Sequence, residues 1–363
     1  MRLKGFLCVH NRQKLALFTL PTVLDFFYRT PTRSTWDRFR AGSQATHAKS
    51  RRLYHLLPIN EERSGPLFCK ALMSSLVHGY SPVLLNWEAQ GDGSYMQRMK
   101  ITGVYEFLRN LTTSDDNDVV FMMDALDVWL QLSPNTLLDR YAEFRGMVVV
   151  GADKACWPNA WDEPACRDVP ESPVPKIAYG SELESEDNGS INTRPRWANS
   201  GTVIGTVRSM RNVYRDLASQ ISGDAFTEQG IFNEFLHEGR LTLDYWSHLF
   251  WANAANVDSG VILNVRYPVS STKDDVIPYR LLPPMLYHTQ TGEFPVAIHF
   301  NDHLHKDLMN DWWGRLWWTK QDIAFKRIWE KKVEMEGQDL LTTDQRCDGR
   351  IFAVTRYCRM SLS

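Results

Sequence analysis

Short apolar runs alternate with amphipathic segments along the first half of the chain. The runs have the length of strands and occupy residues 53–59, 82–87, 118–124 and 147–153. The segments between them repeat their apolar residues at helical spacing, over residues 66–80, 96–111 and 133–144. Ser133 and Pro134 begin the last segment and suit an N-cap and a first helical position. Strands alternating with helices predict an α/β fold with a mixed, mainly parallel sheet flanked by helices.

The second half of the chain has a less regular pattern. Residues 158–196 are rich in Pro, Ser, Glu and Asp, which predicts a long surface loop. Strand or helix patterns return over residues 197–207, 209–221, 227–239, 241–250 and 296–302. The Trp-rich tail predicts a helical C-terminal extension. We therefore expect a stem over residues 1–50, a domain over 51–310 and the extension over 311–363.

Composition excludes some functions and leaves others open. The 363 residues are 43% hydrophobic, enough for a large core, and the net charge of −2 gives no electrostatic footprint for nucleic acid. The sequence has no GxxxxGK[ST] motif, no GxGxxG after its first strand and no GxSxG motif. A P-loop NTPase, a dinucleotide-binding fold and a hydrolase with a nucleophile elbow are therefore not supported.

The N-terminus and the cysteines bear on the compartment. A basic stretch precedes the apolar segment at residues 15–28, as in a signal-anchor, although a membrane span needs roughly 20 residues. In a secretory chain we expect the pairs Cys156/Cys166 and Cys347/Cys358 to form disulfides, and in a cytosolic chain to be buried thiols. We carry a secretory location, in the Golgi or endoplasmic reticulum, with a type II membrane anchor as a hypothesis.

The strongest chemical signal lies at the end of the third predicted strand. The run DVVFMMDALDVW places Asp124 after five apolar residues and Asp127 three residues later. Ligands of mainly parallel sheets bind beyond the carboxyl ends of the strands. Two carboxylates there suit a hard cation such as Mn²⁺ or Mg²⁺, whose open positions bind phosphate oxygens. The alternative is that Asp124 caps a turn and Asp127 is exposed to solvent.

Three later motifs also carry polar groups near predicted strand or helix ends. HFNDHLHK at 299–306 combines imidazoles with Lys306, which suits a metal and a diphosphate, or is a polar loop. WANSG at 197–201 holds Asn199 before a glycine that lets a ligand approach, or is an ordinary strand entry. TEQG at 227–230 places Glu228 at a helix start, as an acid, a base or a structural group.

Taken in order, these motifs resemble the glycosyltransferase domain of procollagen lysyl hydroxylases and related collagen-type galactosyl- and glucosyltransferases. The similar stretches cover roughly residues 53–310 and are FMMDALDVW (121–129), VVVGADKACWPN (148–159), WANSGTVIG (197–205), TEQGIFN (227–233) and AIHFNDHLHK (297–306). The resemblance implies a GT-A-like fold, a UDP-sugar donor, a hydroxyl-bearing protein or glycan acceptor and a Mn²⁺ ion.

The resemblance also implies roles for individual residues. It makes Asp124, Asp127 and His299 the metal ligands. It places Lys306 and Asn301 near the diphosphate, and the nucleotide beside Trp87, Gly91, Gly93 and Pro58. It places Trp157 and Asn199 in the sugar or acceptor pocket, with Glu228 and Asp224 where the family carries a run of aspartates. Leu126 stands where the family has an aromatic residue that can stack on uracil.

Two further hypotheses differ from an active transferase. One is a GT-A-like module that binds nucleotide, glycan or a protein partner without turnover. The other is a metal-dependent phosphohydrolase. The feature that separates the transferase from the binding module is whether Asp124, Asp127 and His299 converge within reach of one ion, with bonds of about 2.0–2.3 Å. UDP release with and without an acceptor would distinguish the phosphohydrolase.

Overall fold

The computed structural model describes a single body of mixed α/β structure that begins at Arg51. The described residues are 51–90, 93–179, 193–221, 227–253, 260–263, 266–268, 279–281, 284–301, 303–316, 318, 332–335 and 338–342. The predictions for Asp224, Gly91, residues 1–50 and the pair Cys347/Cys358 lie outside these residues. No helix among the described residues is both long and apolar enough to cross a membrane.

The strands follow the apolar runs closely in the first half of the chain. They are β1 (Leu53–Pro58), β2 (Pro82–Leu85), β3 (Val119–Met123), β4 (Val128–Leu130), β5 (Val149–Asp153), β6 (Trp197–Thr206), β7 (Thr242–Asp244), β8 (Phe250–Ala252), β9 (Gly260–Leu263), β10 (Arg266–Pro268), β11 (Tyr279–Leu281), β12 (Met285–His288), β13 (Ala297–His299), β14 (Lys332–Met335) and β15 (Gln338–Thr342). The segment over 241–250, whose pattern is strand-like and then mixed, holds β7, a turn and the first residue of β8.

The helices lie between the strands as the periodicity predicts. They are α1 (Pro66–Val77), α2 (Gly93–Asn110), α3 (Pro134–Tyr141), α4 (Pro164–Arg167), α5 (Val207–Ser219), α6 (Glu228–His237) and α7 (His303–Trp313). Ser133 caps α3 as predicted, because its side chain accepts a hydrogen bond from the Thr136 backbone N–H. Gly93 opens α2 and is therefore a helical residue instead of part of a glycine-rich loop.

The main sheet is mixed, and most of its strand pairs are parallel. Its order is β15-β14-β2-β1-β3-β6-β5-β8-β13-β4, with β7 also paired to β5. β6 runs antiparallel to both neighbours, β3 and β5. The two C-terminal strands join this sheet through β14, which pairs with β2. Part of the predicted helical extension is therefore strand, and α7 crosses the boundary that we placed at residue 310.

Both faces of the sheet are covered, which explains the uninterrupted apolar runs of the central strands. Along β3, Phe121 and Met123 belong to a core cluster shared with α1, α3 and α7. Val120 and Met122 point to the opposite cluster, shared with α2, α5 and α6. The ends of the strands are therefore the accessible places for polar chemistry.

Strand register brings the predicted polar residues to one edge of the sheet. Because β6 is antiparallel, its first residues lie beside the last residues of β3 and β5: Met123 pairs with Thr202, and Asp153 pairs with Trp197. β13 runs parallel to β8 and antiparallel to β4, so His299 pairs with Val128, the residue after Asp127. Segments distant in sequence thus end at the same place.

Candidate active site

The two aspartates and His299 converge at this edge. One ligand atom from each lies within 4.8 Å of the others. His299 Nε2 is 3.4 Å from Asp127 Oδ1 and 3.8 Å from Asp124 Oδ2. The backbone fixes both turns, since the Asp124 N–H donates to the Gly201 carbonyl and the Phe300 N–H donates to the Asp127 carbonyl, each at 2.8 Å. The structure therefore brings together the three residues expected to share an ion.

The neighbouring charges shift the pKa values of two groups in this cluster. Burial opposes the charge of Asp127, but His299 and the Lys306 ammonium hold the pKa of this carboxyl below its usual range. Burial likewise opposes the charge of the His299 ring, and the carboxylates beside it raise its pKa above the ordinary value. Lys306 Nζ lies 3.1 Å from Asp127 Oδ2. Carboxylates that stay ionised remain able to bind a cation.

A lysine that we did not predict joins this cluster to Glu228. Lys100 Nζ lies 2.7 Å from Asp124 Oδ1 and 2.8 Å from Glu228 Oε2, and it donates to the Ser200 carbonyl at 3.1 Å. Burial disfavours the charged form of Lys100, but the two carboxylates raise its pKa above the ordinary value. A single ammonium thus links the strand end to the start of α6.

The position of Lys100 follows from helix α2. Val104 and Leu108 are buried, and Lys100 precedes them at helical spacing on the same face. Asn86 ties the helix to the sheet by donating to the Met99 carbonyl at 2.8 Å. A lysine at a core-facing position of an amphipathic helix requires a buried partner, and this signal was available in the sequence.

Glu228 is the first residue of α6 and is 4% exposed. Its Oε1 has no hydrogen-bond partner among the residues that the structure describes. Burial raises the pKa of this carboxyl to about 7, although the Lys100 ammonium acts in the opposite direction. A carboxyl group that titrates near neutrality and has an unpaired oxygen is suited to proton exchange or to holding a ligand hydroxyl.

Asn199 lies behind the metal cluster instead of in an open pocket. Its Oδ1 is 2.8 Å from His299 Nδ1 and accepts from the Gly201 N–H at 3.0 Å. Its Nδ2 donates to Asp153 Oδ2 at 3.0 Å. Asn301 donates to the same carboxylate oxygen at 2.9 Å. The expected contact of Asn199 with a sugar is therefore replaced, in this structure, by contacts with protein groups.

Two exposed tryptophans lie on a loop beside α6. Cys156 and Cys166 form a disulfide, as expected for a secretory chain, and they close a loop that carries Trp157 and Trp161. These side chains are 54% and 42% exposed. Asn233 of α6 donates to the Trp157 carbonyl at 3.4 Å and accepts from the Ala198 N–H at 2.9 Å. The loop is thus attached to the helix that Glu228 begins.

The side chains of Trp87, Pro58 and Leu126, at positions expected near a nucleotide, are buried or half-buried. Trp87 is buried and packs against Phe68, with ring centroids 6.1 Å apart. Pro58 ends β1 and is half-buried. Leu126 is also half-buried and packs against the hydrophobic core. Among the described residues at these positions, an exposed aromatic face for a base is not found.

No protein-family model matches this sequence, and a search of curated proteins finds no relative. The solved structures that show a loose likeness to the chain include three glycosyltransferases. The bifunctional glycosyltransferase WbbM has a TM-score of 0.36 and 11% identity over 78% of this chain and 53% of its own length. The galactosyltransferase LgtC, solved with donor and acceptor sugar analogues, has a TM-score of 0.36 and 10% identity over 73% of this chain and 100% of its own. Mouse xyloside xylosyltransferase 1 has a TM-score of 0.31 and 13% identity over 55% of this chain and 88% of its own.

Proposed function

We propose that this protein is a Mn²⁺-dependent glycosyltransferase that moves a hexose from a UDP-sugar to a hydroxyl group of a protein or glycan. The observation that carries the proposal is the convergence of Asp124, Asp127 and His299, with ligand atoms within 4.8 Å of one another. Lys100 and Glu228 lie directly beside this cluster. A cation held beside a buried acid and a buried ammonium would supply charge stabilisation and a proton acceptor for sugar transfer from a diphosphate.

The three candidate ligand residues suit a hard divalent ion. Two carboxylates and one imidazole are ligands that Mn²⁺ accepts, and three protein ligands leave positions for phosphate oxygens. A bound ion held by these three residues would supply positive charge that stabilises the negative charge developing on the leaving UDP. Lys306, which lies beside Asp127, is placed to neutralise further diphosphate charge.

The acceptor side is formed by Glu228 and the tryptophan loop. In the transfer step, the acceptor oxygen forms a bond to the anomeric carbon while the bond from that carbon to the diphosphate breaks. The hydroxyl proton needs a base, and Glu228 has a free Oε1 and a pKa of about 7. Exposed indole faces on Trp157 and Trp161 offer rigid contact area for the acceptor.

A thermal-shift experiment on the purified full chain tests donor binding. Ligands that bind only the folded state stabilise it, by about 2.7 kcal/mol at a hundredfold excess over Kd. We expect a UDP-sugar with Mn²⁺ to raise Tm, and the same sugar with EDTA to leave Tm unchanged. An unchanged Tm for every UDP-sugar tried with Mn²⁺ would contradict the proposed donor.

UDP release separates transfer from the competing functions. We expect release that needs Mn²⁺ and increases when a hydroxyl acceptor is added. Release that ignores the acceptor identifies a phosphohydrolase. Donor binding without any release identifies a binding module without turnover.

The tryptophan loop gives a test of the acceptor side. We expect Trp161→Ala to raise the acceptor KM about tenfold, equivalent to about 1.4 kcal/mol, and to leave acceptor-independent UDP release unchanged. Trp246→Ala is the matched control, since Trp246 is also exposed and lies on the turn between β7 and β8. Equal effects of the two variants would show that the loop has no special role.

We also propose that the protein works in the oxidising secretory pathway. The disulfide between Cys156 and Cys166 supports this location, because such bonds persist there and are rare in the cytosol. Peptide mapping of the protein, alkylated as cells are lysed, should recover residues 156 and 166 as one cross-linked fragment. Recovery of both as alkylated thiols would contradict a secretory location.

A further inference from the structure

Behind the metal cluster, a chain of hydrogen bonds leads from Asp153 to the imidazole of His299. Asp153 is buried at the end of β5. Its Oδ2 accepts from the side-chain amides of Asn199 and Asn301, at 3.0 and 2.9 Å. Its Oδ1 accepts from the backbone N–H groups of Lys154 and Ala155, at 2.7 and 3.2 Å. Burial raises the pKa of Asp153, and the hydrogen bonds from Asn199, Ala155 and Lys154 lower it. As a carboxylate, Asp153 accepts from all four of these groups.

This polarity fixes the orientation of the Asn199 amide. Its Nδ2 must face Asp153, and its Oδ1 then faces the Gly201 N–H at 3.0 Å. A flipped amide would place its NH₂ group against the Gly201 N–H and its oxygen against a carboxylate. Both ends of Asn199 therefore demand the same orientation.

The oriented amide in turn fixes His299. His299 Nδ1 lies 2.8 Å from Asn199 Oδ1, which is an acceptor, so Nδ1 must carry the proton. The proton on Nδ1 leaves Nε2 as the nitrogen that can present a lone pair. Nε2 is also the nitrogen that faces Asp127 and Asp124, at 3.4 and 3.8 Å.

We infer that Asp153 is a positioning residue, which acts through Asn199 to keep the proton on His299 Nδ1 and direct Nε2 at the metal. This inference rests on the proposed function for its metal, but the hydrogen-bond chain itself exists without an ion. A histidine ligand whose second nitrogen donates to an oriented acceptor holds its ring and its tautomer, and loss of such partners typically weakens metal binding 10–100-fold.

Asp153→Asn tests the chain with almost no change in shape. An asparagine at this position has one acceptor and one donor end, but four donors surround it. One end must then face N–H groups, so the orientation of Asn199 is no longer enforced. We expect the Mn²⁺ Kd, measured by EPR of the free ion, to rise about 10–100-fold.

The charge-conserving exchange Asp153→Asn with Asn199→Asp should restore the chain. The new amide at position 153 would accept from the Lys154 and Ala155 N–H groups through its oxygen, and its NH₂ group would donate to the new carboxylate at position 199. That carboxylate would accept from the Gly201 N–H and from His299 Nδ1. Asn301 can reverse its amide, because its Oδ1 has no partner among the described residues. We expect the double variant to bind Mn²⁺ within about threefold of the wild type, since an acceptor again faces His299.

A spectroscopic signal tests the chain independently of metal and turnover. In ¹⁵N-histidine-labelled, metal-free protein, the His299 Nδ1–H should give a hydrogen-bonded signal that is protected from exchange. We expect it in the wild type and the double variant, and its loss in Asp153→Asn. A protected signal in Asp153→Asn, or a double variant that binds Mn²⁺ no better than Asp153→Asn, would overturn the inference. A wild type that has the signal but shows no sugar transfer would contradict only the proposed function.

Discussion

Two histidines on strands of one sheet are equally buried and have opposite surroundings. His299 ends β13 and is 5% exposed, and His55 lies within β1 and is 1% exposed. His299 contacts Asn199, Asp127 and Asp124. His55 stacks on Phe121 at 5.1 Å, and neither ring nitrogen has a hydrogen-bond partner among the described residues.

The surroundings determine the charge that each ring carries. Burial alone lowers the pKa of His55 to about 3, so this ring is neutral at physiological pH. Burial also disfavours charge on His299, but the neighbouring carboxylates outweigh it and raise the pKa. The strand end differs from the strand interior because polar groups from several strands meet there. Chemistry is therefore concentrated at the edge of the sheet.

The largest expected effect comes from removing Asp127, a carboxylate that lies beside His299 and has no counterpart beside His55. We expect Asp127→Ala to reduce Mn²⁺-dependent release of UDP from a UDP-sugar by at least about 100-fold, because a metal ligand is lost. Circular dichroism should show an unchanged fold. Asp139→Ala, at an exposed position of α3, is the control and should keep full turnover. Wild-type turnover in Asp127→Ala would refute the metal role of this residue.

The second effect concerns the Lys100 ammonium, which lies between the carboxylates of Asp124 and Glu228. Lys100→Met would leave Glu228 and Asp124 without their shared cation, and breaking such a buried pair costs about 3–5 kcal/mol. We expect urea denaturation to give a loss near the lower value, since Asp124 is partly exposed. Adding Glu228→Gln should recover part of this loss, because the amide removes the buried charge. Lys176→Met, at an exposed lysine, should change the free energy of unfolding little. Equal stability of Lys100→Met and wild type would mean that the two acids are not charged together.

The third effect tests the close approach of His299 to β6. A methyl group at Gly201 would overlap the imidazole of His299. Overpacking of this kind costs about 1–3 kcal/mol, so we expect Gly201→Ala to move the ring and weaken Mn²⁺ binding about tenfold. Gly65→Ala is the control, because its methyl group would meet only the Arg63 carbonyl, at 4.0 Å. Wild-type Mn²⁺ affinity in Gly201→Ala would show that the ring can shift without harm to the site.

The sequence predicted much of this edge of the sheet, but not the hydrogen bonds and ion pairs that connect its side chains. The apolar runs predicted the central strands, because a sheet covered on both faces needs continuous apolar segments. Asp124 and Asp127 were found because they follow such a run, whereas the family resemblance singled out His299 among the histidines of residues 299–306. The antiparallel course of β6 was not predicted, and it is what brings Asn199 next to Asp153. Lys100 was missed because helical periodicity was used to find the helix, not to question a charged residue on its buried face.

His55 illustrates the limit of a local pattern. Its run, LYHLLP, and the run that ends at His299, AIHF, both place one histidine among apolar residues. Local sequence cannot distinguish them, because the partners of each ring come from distant strands. The register of β1 against β3 places Phe121 opposite His55, and that of β13 against β4 places His299 beside the start of β4.

The effect that we expect to be smallest at neutral pH concerns acid stability. The pKa of His55 is about 3 in the folded protein and about 6.5 when unfolded, so the unfolded chain binds the proton first. Stability from this group is therefore complete above pH 6.5 or so and falls as the pH decreases towards 3, by about 1.4 kcal/mol per pH unit.

His55→Phe keeps an aromatic ring against Phe121 and removes the titrating group. We expect denaturation at a series of pH values to give a shallower loss of stability in this variant. Identical slopes for His55→Phe and wild type would mean that the His55 ring takes up a proton without unfolding, and the contrast with His299 would then disappear.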